Sequence, residues 1–199
     1  AQRAMQAFRA ARPDDRPSRL LEGAIESALG NQARAAEVLD AFLAEYPDNI
    51  AARQLLAATS LRLDDPERTL ELLKEGLAAA PTATTLSLAA TANLSLGRSA
   101  QAIALLEAAL KADPEAAGLN EQLAYARLTA RDANGALAAL DRIGTSPDQD
   151  TVGTADLLRL QAYIDGGDEA RAREWLKAAL ERDAGDWRVQ RLAGNVFLH

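Results

Sequence analysis

The chain has 199 residues, with 22 Lys and Arg against 29 Asp and Glu, a formal net charge of −7 and 48% hydrophobic residues. An acidic chain lacks the clustered cations that bind phosphates, so nucleic acid and anionic membrane surfaces are not expected partners. There is no Cys, and the single His is His199 at the end. These counts exclude thiol chemistry and argue against His-centred catalysis and metal binding. No apolar run reaches about 18 residues, so direct membrane insertion is not expected.

Helical patterns fill the chain in order, and no segment alternates with the period of a strand. The periodicity, together with proline and glycine positions, predicts helices near 1–11, 17–29, 32–45, 49–63, 66–79, 83–96, 99–112, 115–130, 133–143, 152–165, 168–183 and 186–198. The helix near 133–143 is short because Ile143-Gly144 ends it early, and a longer connection follows. The sequence therefore predicts an all-α protein.

A repeat of about 34 residues organises these helices. Prolines recur at intervals of 34, 34, 33 and 33 residues: Pro13, Pro47, Pro81, Pro114 and Pro147. Turn residues recur at almost the same spacing: Gly30-Asn31, Asp64-Asp65, Gly97-Arg98, Arg131-Asp132 and Gly167-Asp168. Each repeat is therefore predicted to be two helices joined by a short turn. Carboxylates in these turns, such as Asp64-Asp65, are expected to cap helices rather than act as acid and base.

Small residues mark the place where the two helices of a pair should cross. Side chains larger than Ala would hold the backbones apart there, so close contact is predicted at Gly23, Ala35, Ala57, Ala102, Ala124 and Ala136. Leu residues are expected to fill the flanking gaps. The two tryptophans, Trp175 and Trp187, are predicted to pack into the core of this aromatic-poor chain.

These features together resemble the tetratricopeptide repeat (TPR) family. The resemblance is clearest in 97–114, GRSAQAIALLEAALKADP, and in 161–168, QAYIDGGD, followed by Ala172. It implies an α-solenoid, a right-handed superhelix of about five helix pairs. The implied units are a partial repeat at 1–13, repeats at 14–47, 48–81, 82–114, 115–148 and 149–184, and a partial repeat at 185–199. The family's bulky aromatic of the first helix appears only as Tyr163 and Phe197. We therefore expect a less regular superhelix.

The resemblance also implies a partner-binding surface, because first helices of successive pairs line the family's concave face. Register assigns to that face Gln54, Ser87, Thr91, Glu121, Tyr125, Gln161, Arg191 and Asn195. Some family members clamp a terminal carboxylate with Lys, Asn and Arg. Only Arg191 and Asn195 fit that pattern here, so peptides with a free terminal carboxylate are not expected to be preferred.

The leading functional hypothesis is a non-catalytic scaffold that binds a protein or peptide, with no cofactor and no metal. The Ala-, Leu- and Arg-rich composition resembles bacterial TPR scaffolds, including those of the cell envelope and of exopolysaccharide assembly. It favours the periplasm slightly over the cytoplasm. Two alternatives are a regulatory segment of a longer enzyme and a self-assembling module.

The final helix has an apolar stripe but no helix to pair with: the stripe contains Val189, Leu192 and Val196. We therefore expect the chain to be a segment of a longer array, with self-association through open ends.

Overall fold

The protein is an assembly of α-helices without a strand among the residues that the computed structural model describes. Those residues are 16–79, 81–116, 118–143, 153–182 and 185–197. The helices are α1 Arg16–Ala28, α2 Gln32–Glu45, α3 Ile50–Arg62, α4 Pro66–Ala79, α5 Ala83–Ser95, α6 Ser99–Ala112, α7 Leu119–Thr129, α8 Ala133–Leu140, α9 Thr154–Asp165, α10 Glu169–Arg182 and α11 Trp187–Phe197. The predicted helix near 1–11 lies outside the described residues.

The helices belong to two compact units, with the division between Arg98 and Ser99. In the first unit each of α1 to α5 packs on the next, and α1 also contacts α3, which contacts α5. In the second unit α6 to α11 pack in the same consecutive way, with further contacts of α7 with α9 and of α9 with α11. Within each unit, therefore, helices two apart in sequence stack as neighbours, as in a repeat array.

The five predicted turns share one backbone geometry. Their first residues all have positive φ, between 59° and 84°: Gly30, Asp64, Gly97, Arg131 and Gly167. In each turn the following N–H donates to the carbonyl five residues earlier, for example Asp65 to Ser60 at 2.9 Å and Asp132 to Arg127 at 2.8 Å. One residue in the left-handed conformation thus ends each first helix, and the bond gives a donor to a carbonyl of its last turn that would otherwise lack one. The repeated turn signal in the sequence is confirmed.

Carboxylates after these turns cap the second helices, as expected. Asp65 Oδ1 accepts from the Arg68 N–H at 3.0 Å, and Asp132 Oδ1 accepts from the Gly135 N–H at 2.9 Å. Asp168 Oδ1 accepts from the Arg171 N–H at 3.1 Å. Each bond satisfies an N–H of the helix's first turn, which has no partner within the helix.

The predicted small contact positions are all inaccessible to solvent. Ala35, Ala57, Ala102, Ala124 and Ala136 are 0% exposed. A Cβ added at Gly23 would lie 2.7 Å from Cγ and Cδ2 of the buried Leu39. Since real Cβ atoms do not approach that closely, α1 and α2 need glycine here. The prediction of close helix contacts is confirmed.

Most helix bounds lie within one or two residues of the expected ranges, and three larger differences stand out. Helix α7 begins at Leu119 instead of 115, after Gly118 with φ of 79°. Helix α8 ends at Leu140 rather than 143, and Nη2 of Arg159 donates to the Leu140 carbonyl at 2.9 Å. The prediction that both tryptophans lie in the core is wrong for Trp187, which is 66% exposed at the start of α11. Trp175 packs against the buried cluster around Leu160 and Leu176.

Candidate functional site

In the first unit, the predicted binding residue Gln54 connects two first helices. Its Nε2 donates to Oγ1 of Thr85 at 2.9 Å and of Thr82 at 3.1 Å. Thr82 caps the start of α5, because its Oγ1 accepts from the Thr85 N–H at 3.2 Å. Gln54 therefore has a structural task in holding α3 to α5, in addition to its place on the predicted surface.

The other predicted residues of the first unit, Ser87 and Thr91, follow one another along α5. Oγ1 of Thr91 donates to the Ser87 carbonyl at 3.0 Å, and Oγ of Ser95 donates to the Thr91 carbonyl at 3.3 Å. These two hydroxyl protons are used within the helix, while each oxygen keeps lone pairs that can accept a hydrogen bond. This surface of α5 therefore offers acceptors to donor groups such as amides and cations.

In the second unit, the predicted residues Glu121, Tyr125 and Gln161 lie on α7 and α9, which contact each other. Glu121 is half-buried and precedes Tyr125 by one helical turn. Tyr125 is 55% exposed, although buried residues flank it at Ala124 and Ala126. Gln161 donates through Nε2 to Oδ1 of Asp165 at 2.7 Å, one turn further along α9.

The last two predicted residues, Arg191 and Asn195, belong to α11. The guanidinium carbon of Arg191 lies 5.6 Å from the ring centroid of Trp187, a distance typical of a cation–π contact. The side chain of Asn195 lies outside the described residues. Asp186 caps this helix by accepting from the Arg188 N–H at 2.8 Å. The side-chain hydrogen bond from Arg188 is the main cause that lowers the pKa of Asp186 from its ordinary value.

Thr82 and Thr85 are the residues that sequence reasoning did not select. Both bond the predicted Gln54, so they belong to the same part of the first unit. A signal for Thr82 was present, since a threonine after Pro81 and before an apolar helix is a typical N-cap. The partner of its hydroxyl lies 28 residues earlier, and no local pattern could have indicated that contact.

The described residues contain no group of three or more His, Cys, Asp or Glu that could hold a metal ion. Among the same residues, no helix is long and apolar enough to span a membrane.

Comparison with known proteins gives one family and many solved structures. The tetratricopeptide repeat family matches residues 87–150. The structure resembles that of TTC0263, a thermophilic TPR protein of Thermus thermophilus, with a TM-score of 0.70 and 22% identity over 93% of this chain and 100% of that one. No curated protein matches the sequence.

Two further solved structures share the fold. PilW, a widely conserved type IV pilus biogenesis factor, has a TM-score of 0.86 and 18% identity over 96% of this chain and 89% of that one. YrrB, a TPR protein with an unusual peptide-binding site, has a TM-score of 0.69 and 14% identity over 96% and 97% of the two chains. The fold class is therefore all-α, that of the TPR solenoids.

Proposed function

We propose that this chain, which has the fold of the TPR solenoids and matches the tetratricopeptide repeat family over residues 87–150, is a non-catalytic scaffold that binds a protein or peptide partner. The surface that we assign to the partner is the concave face that the first helices are predicted to line, and within the second unit it includes Glu121, Tyr125 and Gln161. Architecture favours binding over catalysis, because such repeats present extended surfaces along stacked helices. The observation that carries the proposal is the exposure of Tyr125.

Tyr125 is 55% exposed in a chain in which only 4% of residues are aromatic. Tyrosine is enriched among the residues that carry most of the binding energy of protein interfaces. Its ring supplies apolar area and its hydroxyl can hydrogen-bond, so the side chain is suited to a surface that is exposed to water in the free protein and buried in the complex. Glu121 and Gln161 on the same two helices add polar groups that could fix the orientation of a bound backbone.

We further propose that the partner belongs to a bacterial envelope assembly, such as one for exopolysaccharide synthesis and export. The composition supports this finer proposal, since only three of the 22 basic residues are Lys and Ala and Leu dominate. The fold shared with PilW is compatible with it. Identification of the partner tests this finer proposal.

The experiment is selection of binding peptides from a random displayed library with the whole chain, followed by calorimetric titration. Replacement of Glu121, Tyr125 and Gln161 with Ala should weaken the selected peptides at least about tenfold, since hot-spot aromatics commonly account for that much. The matched control replaces three exposed residues of the second helix α10, Glu174, Lys177 and Glu181, with Ala.

If the selected peptides bound both triple variants with equal affinity, the proposed surface would be contradicted. Gln54 is left intact in this test, because its bonds to Thr82 and Thr85 would mix a folding effect with a binding effect. The melting temperature of both variants should stay close to that of the original protein, since none of the six side chains is fully buried and surface substitutions change stability little. Amidated and free-acid forms of each peptide should bind equally.

A further inference from the structure

A cavity of about 190 Å³ opens in the first unit. It lies between the start of α3, the C-terminal half of α4 and the start of α5. Its apolar walls are Ile50, Leu72, Leu73 and Ala79. Leu73 is 2% exposed and forms the floor, while Ile50 is 65% exposed and forms an apolar rim. A ligand that covers this apolar rim removes it from water, which lowers the free energy of the complex.

The volume of the cavity defines what can enter it. Cavities of about 150 Å³ lined by aliphatic and aromatic side chains are large enough to bind benzene. The cavity beside Leu73 is slightly larger, so it has room for one phenyl ring or one branched aliphatic side chain, and not for a folded element.

Gly76 on α4 creates part of this room. A Cβ added there would lie 3.5 Å from Cγ2 of Thr85, which is an ordinary van der Waals contact. The packing of α4 on α5 therefore does not require glycine at this position, in contrast to Gly23 against Leu39. Glycine in a helix interior costs stability relative to alanine, and here its effect is to leave the cavity open.

The mouth of the cavity carries an excess of negative charge. Arg53 forms an ion pair with Glu75 and also donates to the Pro47 carbonyl, so its charge is already compensated. Asp48, also at the mouth, is exposed and makes no ion pair within the described part of the chain. Two carboxylates for one guanidinium favour a ligand that brings a positive charge close to the cavity.

We propose that this cavity receives a phenylalanine-like apolar side chain from a partner peptide in which Lys or Arg flanks that side chain. The apolar group fills the space above Leu73 beside Gly76, and the flanking cation lies near Asp48. The cavity shares Gln54 with the predicted surface, but it contains none of Glu121, Tyr125 and Gln161, which belong to α7 and α9.

The test uses the whole chain and three blocked tripeptides, Ac-Arg-Phe-Arg-NH2, Ac-Arg-Ala-Arg-NH2 and Ac-Glu-Phe-Glu-NH2, observed through methyl NMR signals. The first peptide should shift the methyl signals of Ile50, Leu72, Leu73 and Thr85. The second and third should each bind at least about tenfold more weakly, since one lacks the ring and the other meets the carboxylates with like charge.

Two variants locate the binding. Gly76→Leu fills the cavity and should abolish the shifts caused by Ac-Arg-Phe-Arg-NH2, whereas Ala78→Leu, an exposed position on the same helix outside the cavity, should leave them unchanged. Asp48→Asn, at an exposed position that does not endanger folding, should reduce the preference for the basic over the acidic peptide severalfold.

Absence of methyl shifts at millimolar peptide would overturn the proposal, as would equal binding by the Gly76→Leu variant. Equal affinity for the basic and acidic peptides would overturn its charge component. Loss of binding here would leave the Tyr125 surface unaffected, because the triple variant of α7 and α9 tests that surface separately.

Discussion

Two helix pairs of this protein, α3–α4 and α7–α8, share a register but treat one equivalent position in opposite ways. Ser60 and Arg127 occupy that position, two repeats apart. Ser60 is 0% exposed and its Oγ has no hydrogen-bond partner among the described residues. Arg127 instead reaches outwards, with Nη2 at 2.7 Å from Oε1 of Glu107 and Nη1 at 3.4 Å from Oδ2 of Asp132.

The Arg127 side chain lies close to Gly135 of the next helix. A Cβ at Gly135 of α8 would overlap both Nη1 of Arg127 and Oδ2 of Asp132, so the ion pair occupies the space of a side chain. The equivalent residue of α4 is Arg68, whose guanidinium forms an ion pair with Asp40 of α2. The two pairs therefore use the same turn and spacing, but in α7–α8 the ends of the Arg127 and Asp132 side chains lie where a side chain of residue 135 would begin.

The largest effect should come from the feature that both pairs share, the small contact residue. Ala136→Leu should lower the free energy of unfolding by about 1 to 3 kcal/mol, because Ala136 is 0% exposed and added atoms would force helices apart. Chemical denaturation measures it. The control Ala138→Leu, exposed on the same helix, should change stability by less than about 0.5 kcal/mol. Similar losses at both positions would contradict the register.

The unpaired hydroxyl of Ser60 should give the next largest effect, and of opposite sign. Ser60→Ala should raise the free energy of unfolding by about 1 kcal/mol, because a buried donor without a partner is removed and alanine favours the helix. The control Ser95→Ala, on an exposed position of α5, should change stability by less than about 0.5 kcal/mol. A loss of stability in the Ser60 variant would show that its hydroxyl has a partner.

Replacement of one glycine in each second helix, Gly76 of α4 and Gly135 of α8, should have different effects on stability. Gly76→Ala should stabilise the protein by about 0.5 to 1 kcal/mol, since the added methyl group meets only an ordinary contact with Thr85. Gly135→Ala should bring no such gain, because the side chains of Arg127 and Asp132 must move away from the new atom. Thermal unfolding of the two variants measures the difference, and an equal gain would mean that the Arg127 side chain does not occupy that space.

The ion pair itself should contribute least. A double-mutant cycle with Arg127→Gln and Glu107→Gln should give a coupling of about 0.2 to 1 kcal/mol, because Glu107 is 46% exposed and solvent screens the pair. The coupling should shrink when NaCl is raised to about 0.5 M, as screening shortens the range of the interaction. A coupling that is insensitive to salt would indicate that the contact is effectively buried.

Helix bounds could be predicted closely where local chemistry fixes them. The expected ranges 32–45, 66–79 and 99–112 match α2, α4 and α6, because Gly, Asp and Pro at their ends act on their own backbone. The end of α8 could not be predicted. Its last carbonyl bonds Arg159, which lies 19 residues later and reaches it only after α9 has packed on α8.

The predicted binding residues also divide into features that the sequence could predict and features that it could not. Register placed Tyr125 on an exposed face, and it is exposed, yet whether these residues bind a partner remains a prediction. Register could not show that Gln54 bonds Thr82 and Thr85, because hydroxyl and amide groups choose partners by proximity across helices.

The helices, their pairing and the small contacts follow from the sequence, because a period near 34 residues, left-handed turns and alanines act through short-range sterics that recur in each repeat. Three features arise only from the packing of the helices: the hydroxyl of Ser60 without a hydrogen-bond partner among the described residues, the Arg127 side chain close to Gly135, and the cavity beside Gly76. Each depends on the distance between side chains from different helices. A difference of about one or two ångströms there separates a contact from a void, and no sequence spacing specifies it.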